Sequence, residues 1–311
     1  MIKTRSFSQR SKRFSVIVGF VLAFGTASIH GAEFGPGFAT RMVAVDGDKV
    51  NVTIGGKGPA VLLLHGYPET SRMWAPLAKA LAPTFTVIAP DLPGIGNSSI
   101  PKTGIDMKSS AERIHAVVKE LGYTKVRVVG HDIGLMVAYA YAAMYPQEVE
   151  QLALMDAFLP GVPGWEEIYN NSGIWHFRFD GATPEELVKG RERLYLEHFW
   201  NDFAADKKHS IPEADRVAYT RAYASPGRMA AGFAYFQSLP KTAVNFAELA
   251  KTKLPMPLLT IGGEKFLGEA LGAQAKFIAA DPTVIVLKNT GHWILEEDAA
   301  DTIAALTKFL Q

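Results

Sequence analysis

Apolar residues recur along this chain in two rhythms: short β-branched runs, and longer stretches spaced for one face of a helix. Residues 42–45 and 49–54 predict two strands about the turn Asp46-Gly47. The continuous apolar run 60–64 predicts a strand covered on both faces, and 85–89 predicts another. Between them Trp74, Leu77 and Leu81 share a helix face. Ile114, Val117, Val118 and Leu121 mark a second helix, starting at Ser109 and ending at Gly122. A β-branched run then leads into Gly130-His131-Asp132-Ile133-Gly134, with a small-residue helix over 135–144 directly behind it. Strands over 149–155, 257–261 and 283–287 and a helix over 299–310 complete the pattern. The glycine-rich stretch 55–59 lies between two strands and precedes no helix, so it reads as a hairpin connection and not as a phosphate cradle.

Strands alternating with helices imply an α/β protein with a mostly parallel sheet covered on both faces. The rhythm stops after Pro160. From 164 to 250 there is no strand-like run, and Thr183-Pro184-Glu185-Glu186 and Ile211-Pro212-Glu213 are helix starts. A helical lid over 161–250 is therefore expected, inserted into a core made of 33–160 and 251–311. Its many aromatics, among them Trp165, Tyr169, Trp175, Phe177, Phe199 and Phe236, give it an apolar underside for packing and for a substrate pocket.

Composition narrows the chemistry. At 311 residues and 48% hydrophobic, the chain can build one large core unaided. The absence of cysteine excludes disulfides, thiolate catalysis and cysteine-ligated metals, and the eight histidines show no metal-ligand spacing. No metal or cofactor is expected. Gly94-Ile95-Gly96 lacks the strand, helix start and acidic partner of a dinucleotide fingerprint. Lys3, Arg5, Arg10, Lys12 and Arg13 precede an apolar run over 14–27 and small residues up to Ala32, which reads as an export signal over 1–32 and places the mature protein in the periplasm or the medium. Those residues hold five basic and no acidic side chains against a whole-chain charge of +1, leaving −4 on the remainder. That balance points to no nucleic acid and to no stable membrane association after cleavage.

The most reactive arrangement is the Gly-x-Asp-x-Gly turn at 130–134. A strand entering a sharp glycine turn that opens a helix is the context of a nucleophile elbow, with Asp132 in the nucleophile's place. The amides and dipole of a helix start favour a carboxylate there. Asp156 follows the next strand and His292 follows the last, in the order nucleophile, acid, base.

These residues resemble the α/β-hydrolases, over nearly the whole chain after residue 32. His65-Gly66-Tyr67-Pro68 resembles the family's oxyanion loop, the stretch Asp91 to Ser98 its Asp-x-x-Gly-x-Gly-x-Ser loop, and Gly291-His292-Trp293 its histidine segment. The resemblance implies an eight-stranded, mostly parallel sheet. Asp132 in the elbow is similar to the epoxide hydrolase and dehalogenase branch. Ile174-Trp175-His176-Phe177, 192–199 and the exported N-terminus resemble the Cif-type secreted bacterial epoxide hydrolases.

The resemblance implies attack by Asp132 on an epoxide, then hydrolysis of the resulting ester by water that His292 activates. The backbone N–H groups of Tyr67 and Ile133 would hold the oxyanion. Gly263-Glu264-Lys265-Phe266 lacks the aspartate that many relatives carry, so Asp156 is expected to orient His292, with Glu269 in reserve. His176 matches the ring-opening histidine. Its partner tyrosine is replaced in Tyr235-Phe236-Gln237, which leaves His176 alone, a register shift that brings in Tyr235, or a lid tyrosine such as Tyr169. Phe177, Tyr235 and Phe236 are expected at the substrate. Two alternatives stay open: a dehalogenase using the same aspartate, although Tyr67, Ile133 and Met136 lack its usual halide and carboxylate ligands, and a non-catalytic binding protein. The expected partner is a small epoxide, and a homo-oligomer is compatible.

Overall fold

In the computed structural model the described residues are 33–208 and 210–311, together with Met1. The expected export signal over 1–32 and His209 lie outside the described residues, apart from Met1. An eight-stranded sheet is built from β1 (Phe38–Val45), β2 (Asp48–Gly56) and β3 (Ala60–Leu64), then α1 (Ala75–Leu81), β4 (Thr86–Pro90), α2 (Met107–Glu120), β5 (Val126–His131), α3 (Ile133–Met144) and β6 (Val149–Met155). Between β6 and the next strand the chain makes only helices: α4 (Trp165–Tyr169), a 3-10 stretch (Ser172–Arg178), α5 (Ala182–Val188), α6 (Glu192–Asp202), α7 (Glu213–Tyr223), α8 (Arg228–Gln237) and α9 (Leu239–Leu249). β7 (Leu258–Gly263), α10 (Gly268–Ile278), β8 (Thr283–Leu287), α11 (Ile294–Glu297) and α12 (Ala299–Leu310) complete it.

The strand order is β1-β2-β4-β3-β5-β6-β7-β8, antiparallel for β1–β2 and β2–β4 and parallel elsewhere. Alternation along the central strands separates two cores. Leu62, Leu64, Val128, Leu152 and Leu154 face the layer of α2 and α3, while Val61, Leu63, Val129, Ala153 and Met155 face α1 and α12. Covering both faces requires the unbroken apolar runs read in the sequence.

Three expectations are corrected. The glycine stretch after β2 is not a hairpin, because β4 lies between β2 and β3 and pairs with both. The connection crosses the start of β4 so closely that a Cβ on Gly56 would lie 2.2 Å from the Phe85 carbonyl, and one on Gly58 2.1 Å from that of Thr84. The second helix starts at Met107, since Asp106 and not Ser109 caps it by accepting the Ser109 N–H. The helix after the elbow starts at Ile133, because the Leu135 and Met136 N–H groups already bond the Asp132 carbonyl. By contrast, Asp46-Gly47 makes the expected tight turn, with φ of 49° and 84°. Among the described residues no helix is long and apolar enough to cross a membrane.

Candidate active site

The parallel strands β3, β5, β6 and β8 deliver their chemistry at their C-terminal ends, where Tyr67, Asp132, Asp156 and His292 follow. Asp132 sits at φ 50° and ψ −122°, a conformation costing about 1–3 kcal/mol for a non-glycine residue. Close packing enforces it. A Cβ on Gly130 would stand 2.3 Å from the Gly134 carbonyl oxygen, and one on Gly134 2.2 Å from that of Leu64. Strand, turn and helix fit only without those two side chains. Asp132 is thereby thrust out of the sheet, and its Oδ2 accepts the Tyr67 N–H at 2.8 Å.

Asp156 also has positive φ, 43°, at the end of β6. Its Oδ1 accepts the Gly263 N–H (2.9 Å), and its Oδ2 lies 2.9 Å from His292 Nδ1. Glu269 is exposed on α10, so Asp156 is the acid that reaches the histidine. Burial pushes His292 down to about 3, which keeps the imidazole uncharged. Burial also pushes Asp156 up, against the Gly263 N–H that steadies its carboxylate. The His292 loop is further tied by Glu297, which accepts the N–H groups of Gly291 and Trp293, and by the His292 N–H on the Phe203 carbonyl.

Tyr67, Asp132 and His292 meet in a cavity of about 20 Å³, enough for roughly one water, with Asp156 behind the histidine. Its polar lining is Asp132, His292 and His176; carbon from Phe158, Phe177, Phe199, Phe203, Phe236 and Phe266 makes most of the rest. His176 is 3% exposed, between the rings of Phe177, Phe199 and Phe236 at 4.6, 4.7 and 4.9 Å. Burial, then His198 and His292, push it down to about 3, so it is a neutral hydrogen-bond donor. Its Nδ1 has no hydrogen-bond partner among the described residues.

Phe177 and Phe236 line the cavity as expected, and Tyr67 lines it with its ring. Tyr235 does not. Its hydroxyl donates to the Pro93 carbonyl at 2.9 Å and takes the Ser110 hydroxyl at 3.2 Å, because one residue along α8 rotates the side chain by about 100°. Tyr169 stays outside the cavity, its ring stacked on Phe177 at 6.0 Å and beneath the Arg178 guanidinium. The Ile133 side chain is packed in the core and does not line the cavity, so Ile133 can offer the site only its backbone N–H, the first of α3. His65 is a support: its Nδ1 bonds the Gly66 carbonyl and its Nε2 accepts the Leu92 N–H, which fixes a neutral tautomer. Phe158, Phe203 and Phe266 in the wall, and a buried glutamate at 69, were not foreseen. Nothing in their local spacing separates them from ordinary core or loop residues.

The chain belongs with proteins of the same fold family. A family model described as the alpha/beta hydrolase fold matches residues 59–305. A soluble epoxide hydrolase from Corynebacterium sp. (strain C12) is 32% identical over 273 residues, covering 85% of this chain and 94% of that protein. A fluoroacetate dehalogenase from Burkholderia sp. is 36% identical over 162 residues, 49% of this chain and 53% of that protein. The crystal structure of the Cif epoxide hydrolase from Acinetobacter nosocomialis superposes with a TM-score of 0.76 at 23% identity, covering 89% of this chain and 90% of that one, a likeness of fold.

Proposed function

The chain belongs to the α/β-hydrolase family, and from that premise we propose that it opens a small, apolar epoxide to a vicinal diol through an ester on Asp132. The observation that carries the reading is the cavity itself: a carboxylate and the neutral imidazole of His176 share a small space walled largely by aromatic carbon, with His292 in the same lining.

Asp132 Oδ2 is already held by the Tyr67 N–H, so Oδ1 is the atom free to attack carbon. A carboxylate needs no base for displacement at an sp³ carbon. The C–O bond of the epoxide breaks as the ester forms, and the departing oxygen takes a hydrogen bond from His176. In the second half, Oδ2 is the ester carbonyl oxygen, placed on the Tyr67 N–H with the Ile133 N–H beside it. His292, oriented by Asp156 through its Nδ1, takes a proton from water at Nε2 as that water attacks the Asp132 carbonyl carbon. Collapse of the tetrahedral intermediate breaks the ester C–O bond, and the leaving oxygen takes the proton held at His292 Nε2. The ring-opened oxygen takes up a proton from solvent and the re-formed Asp132 carboxyl gives its own back to solvent, which releases the diol and restores the carboxylate. One such oxyanion donor is worth about 2.7–4 kcal/mol.

Halide release is the second reading, favoured by the similarity to a fluoroacetate dehalogenase over half the chain. It is the weaker one, because Phe177 and Phe236 offer a halide no N–H or O–H, and among the described residues no arginine lines the cavity to pair a carboxylate substrate. Protein lacking residues 1–32 is incubated with epoxide and haloalkane panels, and diol and halide are measured. The His292→Gln variant is then searched by mass spectrometry for an adduct on Asp132. Diol with a trapped epoxide adduct supports the proposal, and halide alone moves it to dehalogenation. No turnover or adduct on either panel leaves a binding protein. We also propose that residues 1–32 direct export; full-length protein that stays unprocessed in the cytoplasm would refute that.

A further inference from the structure

Behind the catalytic residues lies a second titratable group that the reaction above does not use. Glu69 ends the turn that carries Tyr67, with its N–H on the Gly66 carbonyl at 3.2 Å, and it is completely buried. Neither carboxyl oxygen has a partner at full hydrogen-bonding geometry among the described residues, yet Oε2 lies 3.4 Å from His131 Nδ1. His131 precedes the nucleophile. Its other nitrogen, Nε2, is 3.0 Å from the backbone carbonyl of His292, and the two rings are 4.7 Å apart. A Cβ on Gly66 would come within 2.7 Å of His131 Nδ1, so the glycine leaves the path between imidazole and carboxyl open.

Hydrogen-bond logic fixes the protons. A carbonyl only accepts, so Nε2 of His131 carries a hydrogen. A neutral His131 then presents a bare Nδ1 to Glu69, and that contact is attractive only if the carboxyl supplies a proton. We infer that Glu69 is a positioning residue for ester hydrolysis: it shares one proton with His131 and so ties the oxyanion loop to the backbone that carries His292. The inference rests on the proposed reaction. Moving the proton from the Glu69 carboxyl to Nδ1 gives the ion pair, and removing it to solvent leaves a carboxylate against a lone pair.

The surroundings favour the protonated form. Burial pushes Glu69 up to about 8, opposed by a side-chain hydrogen bond with Glu296, whose own carboxyl is raised in return, and helped by the negative charges of Asp132 and Asp215. Besides His131, the titratable groups facing Glu69 are Glu296 from α11, also raised by burial, and Tyr219 and Tyr223 from α7, with Asp215 itself paired to Arg72. The Tyr223 hydroxyl donates to the Glu69 carbonyl and holds the turn from the helical side. None of these offers a cation to neutralise an ionised Glu69 except His131.

The test uses Glu69→Gln, whose amide N–H₂ replaces the carboxyl proton without the charge, and Glu69→Ala, which removes it. Ester formation and ester hydrolysis are followed separately by quenched single turnovers from pH 6 to 10. The wild type is expected to lose hydrolysis on the alkaline side of about pH 8. Glu69→Gln should hydrolyse within about threefold of the wild type at pH 7 and lack that alkaline fall, while Glu69→Ala should slow hydrolysis by about 10–100-fold and leave ester formation unchanged. Both variants hydrolysing with the wild-type rate and profile would overturn the inference, as would Glu69→Gln failing as badly as Glu69→Ala. Infrared spectra give a readout independent of turnover: one protonated-carboxyl band present at pH 7 must be missing from Glu69→Gln. If the wild type forms no ester on any epoxide but that band behaves as stated, the proposed reaction fails and the shared proton stands.

Discussion

Replacing His176 by phenylalanine should move activity and stability in opposite directions. The imidazole lines the same cavity as Asp132 and is the ring-opening donor of the proposed reaction, in which removing a donor of this kind costs about 2.7–4 kcal/mol, or roughly 10²–10³ in the rate of ester formation. The same ring is a burden to the fold. Its Nδ1 is buried without a partner, a state worth about 1–3 kcal/mol of desolvation that phenylalanine would relieve. One extra ring atom must fit among Phe177, Phe199 and Phe236, and the adjoining 20 Å³ of free space takes it, so overpacking offsets only part of the gain. The expected net effect at pH 7 is between zero and about +2 kcal/mol. Acid sharpens the contrast. His176 is held near 3 in the fold against 6.5 when unfolded, so between those values the unfolded chain binds more protons and wild-type stability falls as pH falls. Each pH unit in that window adds up to about 1.4 kcal/mol to the variant's advantage. Quenched single turnovers measure the ester, and urea melts at pH 7 and pH 5 measure stability. Ester formation within tenfold of wild type, or a variant less stable than wild type by a margin that widens at pH 5, would refute the reasoning.

The other side of that cavity gives the converse prediction. Phe236→Tyr places a hydroxyl beside His176, 4.9 Å away between ring centres, and a hydrogen bond to a developing charge is worth about 1.5–3 kcal/mol, so ester formation should accelerate by about tenfold or more; no gain in a rapid-quench assay would mean that the rim of this ring faces away from the reacting oxygen. Asp156→Asn leaves the His292 bond geometrically possible but favours the wrong tautomer, so ester should accumulate at the wild-type rate while its hydrolysis falls by about 10³–10⁴; hydrolysis within tenfold of wild type would remove Asp156 from the role.

How much of this was legible in the sequence depends on the range over which each feature is decided. The elbow was legible because its constraint is local: Gly130 and Gly134 are needed by contacts that the turn makes with itself and with β3. The apolar runs revealed the buried strands because strands covered on two faces cannot alternate. The insertion of β4 between β2 and β3 was invisible, since a glycine loop that crosses a strand and one that closes a hairpin use the same residues. The choice between Asp156 and Glu269 needed the register of β6 against β7, which sets the Gly263 amide and the histidine on the same carboxyl. Tyr235 was misread as a substrate contact because a single position on α8 separates the cavity wall from the Pro93 carbonyl.

Several unfavourable features of the fold gather at the C-terminal edge of the sheet. Asp132 and Asp156 carry two of the positive-φ backbones there, while His176 and His131 each keep a buried ring nitrogen, and Glu69 its carboxyl oxygens, outside full hydrogen-bonding geometry. The flanking cores are packed mainly by apolar side chains. Such costs persist only where the surroundings over-determine them, as the Gly130, Gly134 and Gly66 contacts do here. They also divide by half-reaction. In the proposed reaction His176 serves ring opening alone, while Asp156, His131 and Glu69 converge on His292, which acts only after the ester exists, and on the oxyanion loop, whose Tyr67 N–H already holds Asp132 Oδ2 before attack. The hydrolytic half therefore draws on more of this architecture than the opening half does. On the proposed reaction, with a single ring-opening donor and a heavily supported base, opening and not hydrolysis is expected to limit turnover.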